Sequence, residues 1–267
     1  MSNLISRVVV RAIGLPLVLG LVWLGGWWLY VLILAASLVA VHEFVTVARP
    51  LRPLAPALYL GVALALTLAK TNGPVWMLAG MLATFLFAFF ASALARTRLP
   101  STVAIAATVL GATWIGFGLG HIILLRHVHE HGRLLAFTLL LTVFAADTFA
   151  YFGGRFLGRH KMAPTLSPGK TWEGFVVGAI AGVFVSFVAL YDTRHTYLSV
   201  WQAIVLGVGI VLASAVGDLF ESMVKRDMQV KDTGSLLGGH GGVLDRVDAL
   251  LFAGPAAYYL VLGLGHA

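Results

Sequence analysis

"SPGKTWEGFVVGAIAGVFVSFVALY", Ser167 to Tyr191, holds the key to the architecture. From Gly174 to Tyr191 no charge interrupts it. An apolar run near twenty residues is what a helix needs to cross a hydrocarbon core roughly 30 Å thick. The head of the stretch is different. Ser167-Pro168 fits the N-cap and first position of a helix, which predicts a helix starting there with Lys170 in its first turn. A helix N-terminus with a lysine beside it is a ready anion site. Gly169-Lys170-Thr171 does not make a P-loop, because Pro164 stands where that motif needs its first glycine and no buried strand precedes it.

Runs of the same kind recur outward in both directions. The chain of 267 residues is 60% hydrophobic and 11% charged, with a mean hydropathy of +0.94. A soluble domain carries about a quarter charged residues. The fold class is therefore all-α, a polytopic transmembrane helical bundle. A β-barrel would show short alternating segments instead. Nine spans are predicted, near 10–25, 27–48, 55–70, 74–94, 101–125, 133–153, 171–191, 199–221 and 247–265. Gly25-Gly26 separates the first two, which suits a tight helical hairpin. The third is short. No small-residue cleavage site follows Arg11, so the first span is expected to stay. Residues 1–267 read as one integral membrane domain, with roughly 1–130 forming N-terminal spans and 131–267 holding the polar loops. The chain has no cysteine and so no thiol chemistry.

Charge sets the orientation. With nine spans, fourteen of the eighteen Lys and Arg residues fall on the side of the N-terminus and four on the other. That asymmetry predicts a cytoplasmic N-terminus in a cell membrane and an external C-terminus. It also explains the net charge of +7 without nucleic acid as a partner. The loops 154–170 and 222–246 both fall on the cytoplasmic side.

The eleven acidic residues are few enough to weigh singly. Asp218 is placed at the end of the eighth span, where Asp218, Glu221, Ser222 and Lys225 share a face. Asp245 and Asp248 stand three apart where the ninth helix begins. Asp218, Asp245 and Asp248 could thus meet at the membrane surface, and hard oxygen ligands suit Mg²⁺. Solvated or ion-paired aspartates are the competing reading. Asp147, inside a span, is costly and so a functional candidate or a packing partner. Gly238 to Gly242 around His240 can wrap phosphate or form a simple hinge. Glu43 either faces a polar cavity or pairs within the bundle. Gly116 to Gly120, "GFGLG", suits close helix packing. The histidines of "RHVHEHGR", Arg126 to Arg133, suit a solvated turn better than a metal site. Trp23, Trp27 and Trp28 fit an interfacial belt.

"SMVKRDMQVKDTGSLLGGHGGVLDRVD", Ser222 to Asp248, resembles the signature of the phosphatidate cytidylyltransferase (CDP-diglyceride synthetase) family. It has Ser222, Lys225-Arg226, Lys231-Asp232, His240-Gly241-Gly242, Asp245-Arg246 and Asp248 in order. "SPGKTWEG", Ser167 to Gly174, is similar to a second motif of that family. The resemblance implies a nucleotidyltransferase of phospholipid biosynthesis, which converts CTP and phosphatidate to CDP-diacylglycerol and pyrophosphate at the cytoplasmic face. It implies Mg²⁺, with K⁺ as a candidate second cation. Asp218 and Asp245 would hold the metal, with Asp248 a weaker third ligand. Asp218, Asp245, Lys170, Lys225 and Arg226 would carry the chemistry. Ser167, Lys170, Thr171, Lys231, His240, Gly241, Gly242 and Arg246 would hold the nucleotide. CTP, phosphatidate and membrane lipids are the expected partners, and a homodimer is a candidate assembly by resemblance only. The alternatives are a CTP-dependent enzyme acting on an isoprenoid-type lipid phosphate or alcohol, an ion-coupled transporter, for which no internal repeat is seen, and a scaffolding membrane protein.

Overall fold

The computed structural model describes residues 14, 16–94, 101–128, 130–234 and 241–265. Among them run nine helices: α1 (Gly26–Val47), α2 (Ala55–Asn72), α3 (Pro74–Leu94), α4 (Ser101–Gly111), α5 (Gly118–Arg126), α6 (Gly132–Leu157), α7 (Trp172–Leu190), α8 (Val200–Asp227) and α9 (Leu244–Gly263). A further helical stretch covers 16–24. Wide π turns over Ala112–Phe117 join α4 to α5, so that Thr102–Arg126 runs as one long helix. Six helices are long and apolar enough to cross a membrane: α1, α3, Thr102–Arg126, α6, Trp172–Thr193 and α8. The protein is a multi-pass, all-helical membrane protein. Lys70 and Asn72 dilute α2, and Asp245, Arg246 and Asp248 dilute the first turns of α9.

The exception to the helical rule is a small antiparallel hairpin, β1 (Lys161–Ala163) with β2 (Ser167–Thr171). Here the sequence reading is corrected. Ser167 and Pro168 do not start a helix. A residue before proline is pushed toward extended backbone, and Ser167 pairs with Ala163 across the hairpin. The helix starts at Trp172, and Thr171 is its cap, its hydroxyl accepting the Gly174 N–H at 3.2 Å. Lys170 therefore lies on a strand, not in a helical turn. A second correction concerns Asp218. Helix α8 continues to Asp227, so Asp218 sits about 14 Å inside its C-terminus at ~1.5 Å per residue.

The chain divides into two compact units. The first comprises Met1–Leu124 and Asp227–Val247. Its core holds Phe44, Leu58, Leu66, Met77 and Ile115, all fully buried. Helices α2 and α3 approach closely because Gly80 meets the backbone of Ala65, where a Cβ would lie 2.5 Å from the Ala65 Cα. "GFGLG" serves close packing, with Gly116 against Val62 and Met81, and Gly120 against Met77. In the same unit the Glu43 carboxylate accepts the N–H groups of Val243, at 2.9 Å, and Leu244, at 2.8 Å. Two hundred residues apart in sequence, these groups fix the start of α9.

The second unit comprises Leu125–Arg226 and Asp248–Ala267. Its centre is the α6–α7 pair. Gly174, Gly178 and Gly182 recur every four residues and form the face of α7 against α6. A Cβ on Gly178 would fall 2.5 Å from the Ala146 carbonyl oxygen. The other face of α7 exposes Trp172, Val176, Ile180, Phe184 and Val188, a stripe that water would not tolerate and lipid does. Helix α9 meets α8 at Gly217, where a Cβ would touch the Asp248 carbonyl oxygen at 2.6 Å. That contact brings Asp248 and Ala249 against the turn of α8 that carries Asp218. On the far loops His131 stacks on Tyr197, with ring centroids 4.0 Å apart.

Candidate functional site

The second unit encloses a cavity of about 500 Å³. One wall is polar, with Asp147, Tyr151 and Arg155 of α6, Ser167, Lys170 and Thr171 of the hairpin, and Asp218 of α8. The remainder is mostly apolar, with Ala146, Ala150, Gly178, Ala179 and Ala215 beside the larger Met162, Phe175 and Val211. The small side chains at Ala146, Ala150 and Gly178 follow from the closeness of α6 and α7, which meet through their backbones.

Lys170 joins the two halves of the polar wall. Its ammonium donates to the Asp218 carboxylate at 2.8 Å. The hairpin is what lets it reach, since a strand leading into the α7 cap points Lys170 toward α8 rather than around a helix. Glu173 secures the other end of this loop. Its carboxylate accepts the N–H groups of Arg159 and His160 and pairs with the His160 ring at 2.6 Å. Arg226 donates to the Leu166 carbonyl at 3.2 Å and ties the hairpin turn to the end of α8.

Asp147, Asp218 and Asp248 lie close enough for their charges to act on one another, with Lys170 near the first two and Lys225 near the third. Three carboxylates and two lysines thus share one region of the second unit, inside the ends of α6, α8 and α9. Lys225 also pairs with the buried Glu221 one turn away. Among the described residues no three acidic or histidine side chains are gathered tightly enough to hold an ion unaided.

The structure places the expected site residues as follows. Ser167, Lys170, Thr171 and Asp218 line the cavity. Asp248 joins Asp218 through its charge. Lys225 and Arg226 stand on the last turns of α8. Asp245 belongs to the first unit, where its carboxylate accepts the N–H of Gly242 at 2.7 Å and that of Thr233 at 3.0 Å. Gly241 takes a positive φ of 77° and lies against the same carboxylate. Lys231 and Arg246 are exposed. His240 lies outside the described residues. The reading from sequence did not include Tyr151 or Arg155, whose guanidinium donates to the Tyr151 hydroxyl at 3.0 Å. The signal was available, because Asp147, Tyr151 and Arg155 stand four apart and share one face of α6.

Fold and site define a helical membrane protein with a charged cavity that opens among apolar walls. The chain belongs to the cytidylyltransferase family, whose model matches residues 5–263, and it is a nucleotidyl-transferring enzyme. It is 33% identical over 268 residues to a phosphatidate cytidylyltransferase of Mycobacterium bovis, covering 95% of this chain and 86% of that protein. The phosphatidate cytidylyltransferase of Staphylococcus haemolyticus is 29% identical over 260 residues, covering 96% and 98% respectively. That of Haemophilus influenzae is 43% identical over 136 residues, about half of each protein.

Proposed function

We propose that the chain transfers the cytidylyl group of CTP to phosphatidate, giving CDP-diacylglycerol and pyrophosphate for phospholipid biosynthesis. The cavity beside the Lys170–Asp218 pair carries this reading, because one space offers a charged wall and an apolar one. A lipid phosphate needs both. Full-length similarity to two phosphatidate cytidylyltransferases supports the same assignment.

In this reading a phosphate oxygen of the lipid attacks the α-phosphorus of CTP. The bond from that phosphorus to the oxygen bridging the β-phosphorus breaks, and pyrophosphate leaves. No protein nucleophile is required, since the attacking oxygen comes from the substrate and is ionised at neutral pH. The protein positions the reactants and balances charge. Lys170 and Arg155 hold phosphate oxygens within the cavity. Ser167 and Thr171 add hydroxyl donors. Lys225, Arg226, Lys231 and Arg246 receive the polyphosphate as it arrives from the cytoplasm, with His240, Gly241 and Gly242 on its path. Asp147 organises the cavity that Lys170 lines.

The donor set fits a magnesium ion. Mg²⁺ takes one or two carboxylates and completes its shell with water and substrate phosphates, and the neighbouring Asp218 and Asp248 can supply such carboxylates. Asp218 and Asp248 would hold it, with Asp245 a further candidate ligand. Such an ion neutralises phosphate charge in phosphoryl transfer. We further propose nine crossings with the N-terminus in the cytoplasm of a cell membrane, which sets the cavity mouth on the cytoplasmic face.

Purified protein in detergent, given CTP, Mg²⁺ and phosphatidate, is expected to release pyrophosphate and yield CDP-diacylglycerol. Product from an isoprenoid phosphate but not from phosphatidate would move the assignment to another lipid. No product with any lipid phosphate overturns it.

A further inference from the structure

Glu43 lies near the end of α1, almost two hundred residues from the signature, and the reaction proposed above makes no use of it. It is buried, with 5% of its surface exposed. A carboxylate is not buried without strong partners, and those of Glu43 are informative. Its two oxygens accept the N–H groups of Val243 and Leu244. These are N-terminal amides of α9, which have no acceptor within their own helix and carry the positive end of its dipole. Two glycines press on the same carboxylate. A Cβ on Gly234 would fall 2.5 Å from Oε1, and one on Gly242 would collide with Oε2. Glu43 therefore holds Gly234 and Gly242 against one carboxylate and anchors the start of α9.

In the sequence Gly234 follows Lys231-Asp232, and Gly242 precedes Asp245-Arg246. Asp245 repeats the device from the inside, accepting Thr233 and Gly242. Two carboxylates thus tie Thr233 and Gly234 to Gly242. Asp245 faces the chemistry in the proposed function, whereas Glu43 is turned to backbone alone. We infer that Glu43 is a positioning residue for nucleotide binding: it ties Gly234 to Gly242 and holds the first turn of α9, and so sets where Asp245 and Arg246 stand to receive the polyphosphate. The inference rests on the CTP reading. It reaches beyond it by assigning a residue of the N-terminal half to the site.

Glu43→Gln preserves shape but exchanges one acceptor oxygen for an NH₂ group aimed at a backbone N–H. An amide left facing a donor in a buried site loses its bond and adds a repulsion. The KM for CTP should rise by roughly tenfold, an effect of the size expected for one buried hydrogen bond. The KM for phosphatidate should stay within about twofold. Glu43→Asp, which keeps both acceptors, should recover part of the CTP affinity. Hydrogen exchange read on the protein without substrate should show faster exchange at 241–247 in Glu43→Gln, with α2 and α3 unchanged. A purely structural role predicts otherwise: less active enzyme per milligram, both KM values unmoved, and exchange faster throughout the first unit. That result, or wild-type exchange at 241–247, overturns the inference. If the wild-type protein makes no product from CTP, the CTP reading itself has failed, and unchanged exchange at 241–247 then separately decides the anchoring role.

Discussion

At the scale of single residues, the Lys170–Asp218 contact is the one from which most of the chemistry follows. An ammonium 2.8 Å from a carboxylate in a half-buried cavity is neither a surface decoration nor a sealed core pair. It is accessible to a phosphate that can take over the lysine while a cation takes over the aspartate. Lys170→Met should therefore lower kcat/KM by on the order of a hundredfold, the scale of losing one fixed charge at a reacting phosphate. Asp218→Asn should do at least as much. Because the two act as a unit, the double variant should be no worse than the poorer single. Steady-state pyrophosphate release measures all three, and multiplicative losses would separate the two roles. Asp245→Asn tests a different division of labour. Its amide oxygen can still accept from Gly242 or Thr233, so the loop keeps one of its internal ties. Turnover should nonetheless be abolished or nearly so, with the apparent melting temperature close to wild type. Full activity would remove Asp245 from the ligand set.

Elements explain why some of this was legible in sequence and some was not. Hydropathy marks a helix by its length and apolarity, and every span expected within the described residues has a helix over it. It says nothing about how a polar connection folds. Ser167-Pro168 suits both a helix start and an extended strand, and the hairpin partner Lys161–Ala163 decided between them. The overrun of α8 was readable in principle. Glu221 and Lys225 stand four apart and pair, a helical spacing that carries the helix past the end expected for the span. A pair such as Glu43 with Val243 leaves no trace in local pattern, because periodicity reports neighbours and not contacts across two hundred residues. The glycine stripe of α7 makes a prediction at this scale. Gly178→Ala places a methyl against the Ala146 carbonyl and the Ala150 side chain, and backbone cannot rotate away as a side chain can. It should cost about 1–3 kcal/mol, seen as a lower apparent melting temperature in detergent. Gly263→Ala, at the last residue of α9 with open space around it, should leave that temperature unchanged.

For the molecule as a whole, the quantity to decide is the number of crossings, since it fixes which solution each loop meets. Charge asymmetry argues for nine, and the helices give the count a testable form. Between Asn72 and Thr165 lie α3, the continuous helix Thr102–Arg126, and α6. Three crossings put those two residues on opposite sides. One further crossing, α7, separates Thr165 from His195, and one more, α8, separates His195 from Asp232. The natural chain has no cysteine, so each of these exposed positions can carry the single thiol of its own variant without any background. A membrane-impermeant maleimide added to intact cells or spheroplasts should label Asn72→Cys and His195→Cys. It should reach Thr165→Cys and Asp232→Cys only after the membrane is opened. The loops of Thr165 and Asp232 are those that carry Lys170 and the glycine-rich segment, so their shared protection would also place the nucleotide site on the side where CTP is made. If Asn72 and Thr165 react from the same side, one of the three helices between them does not cross, and the positive charges no longer sort by side. The cytoplasmic assignment of the cavity mouth would then fall with the count.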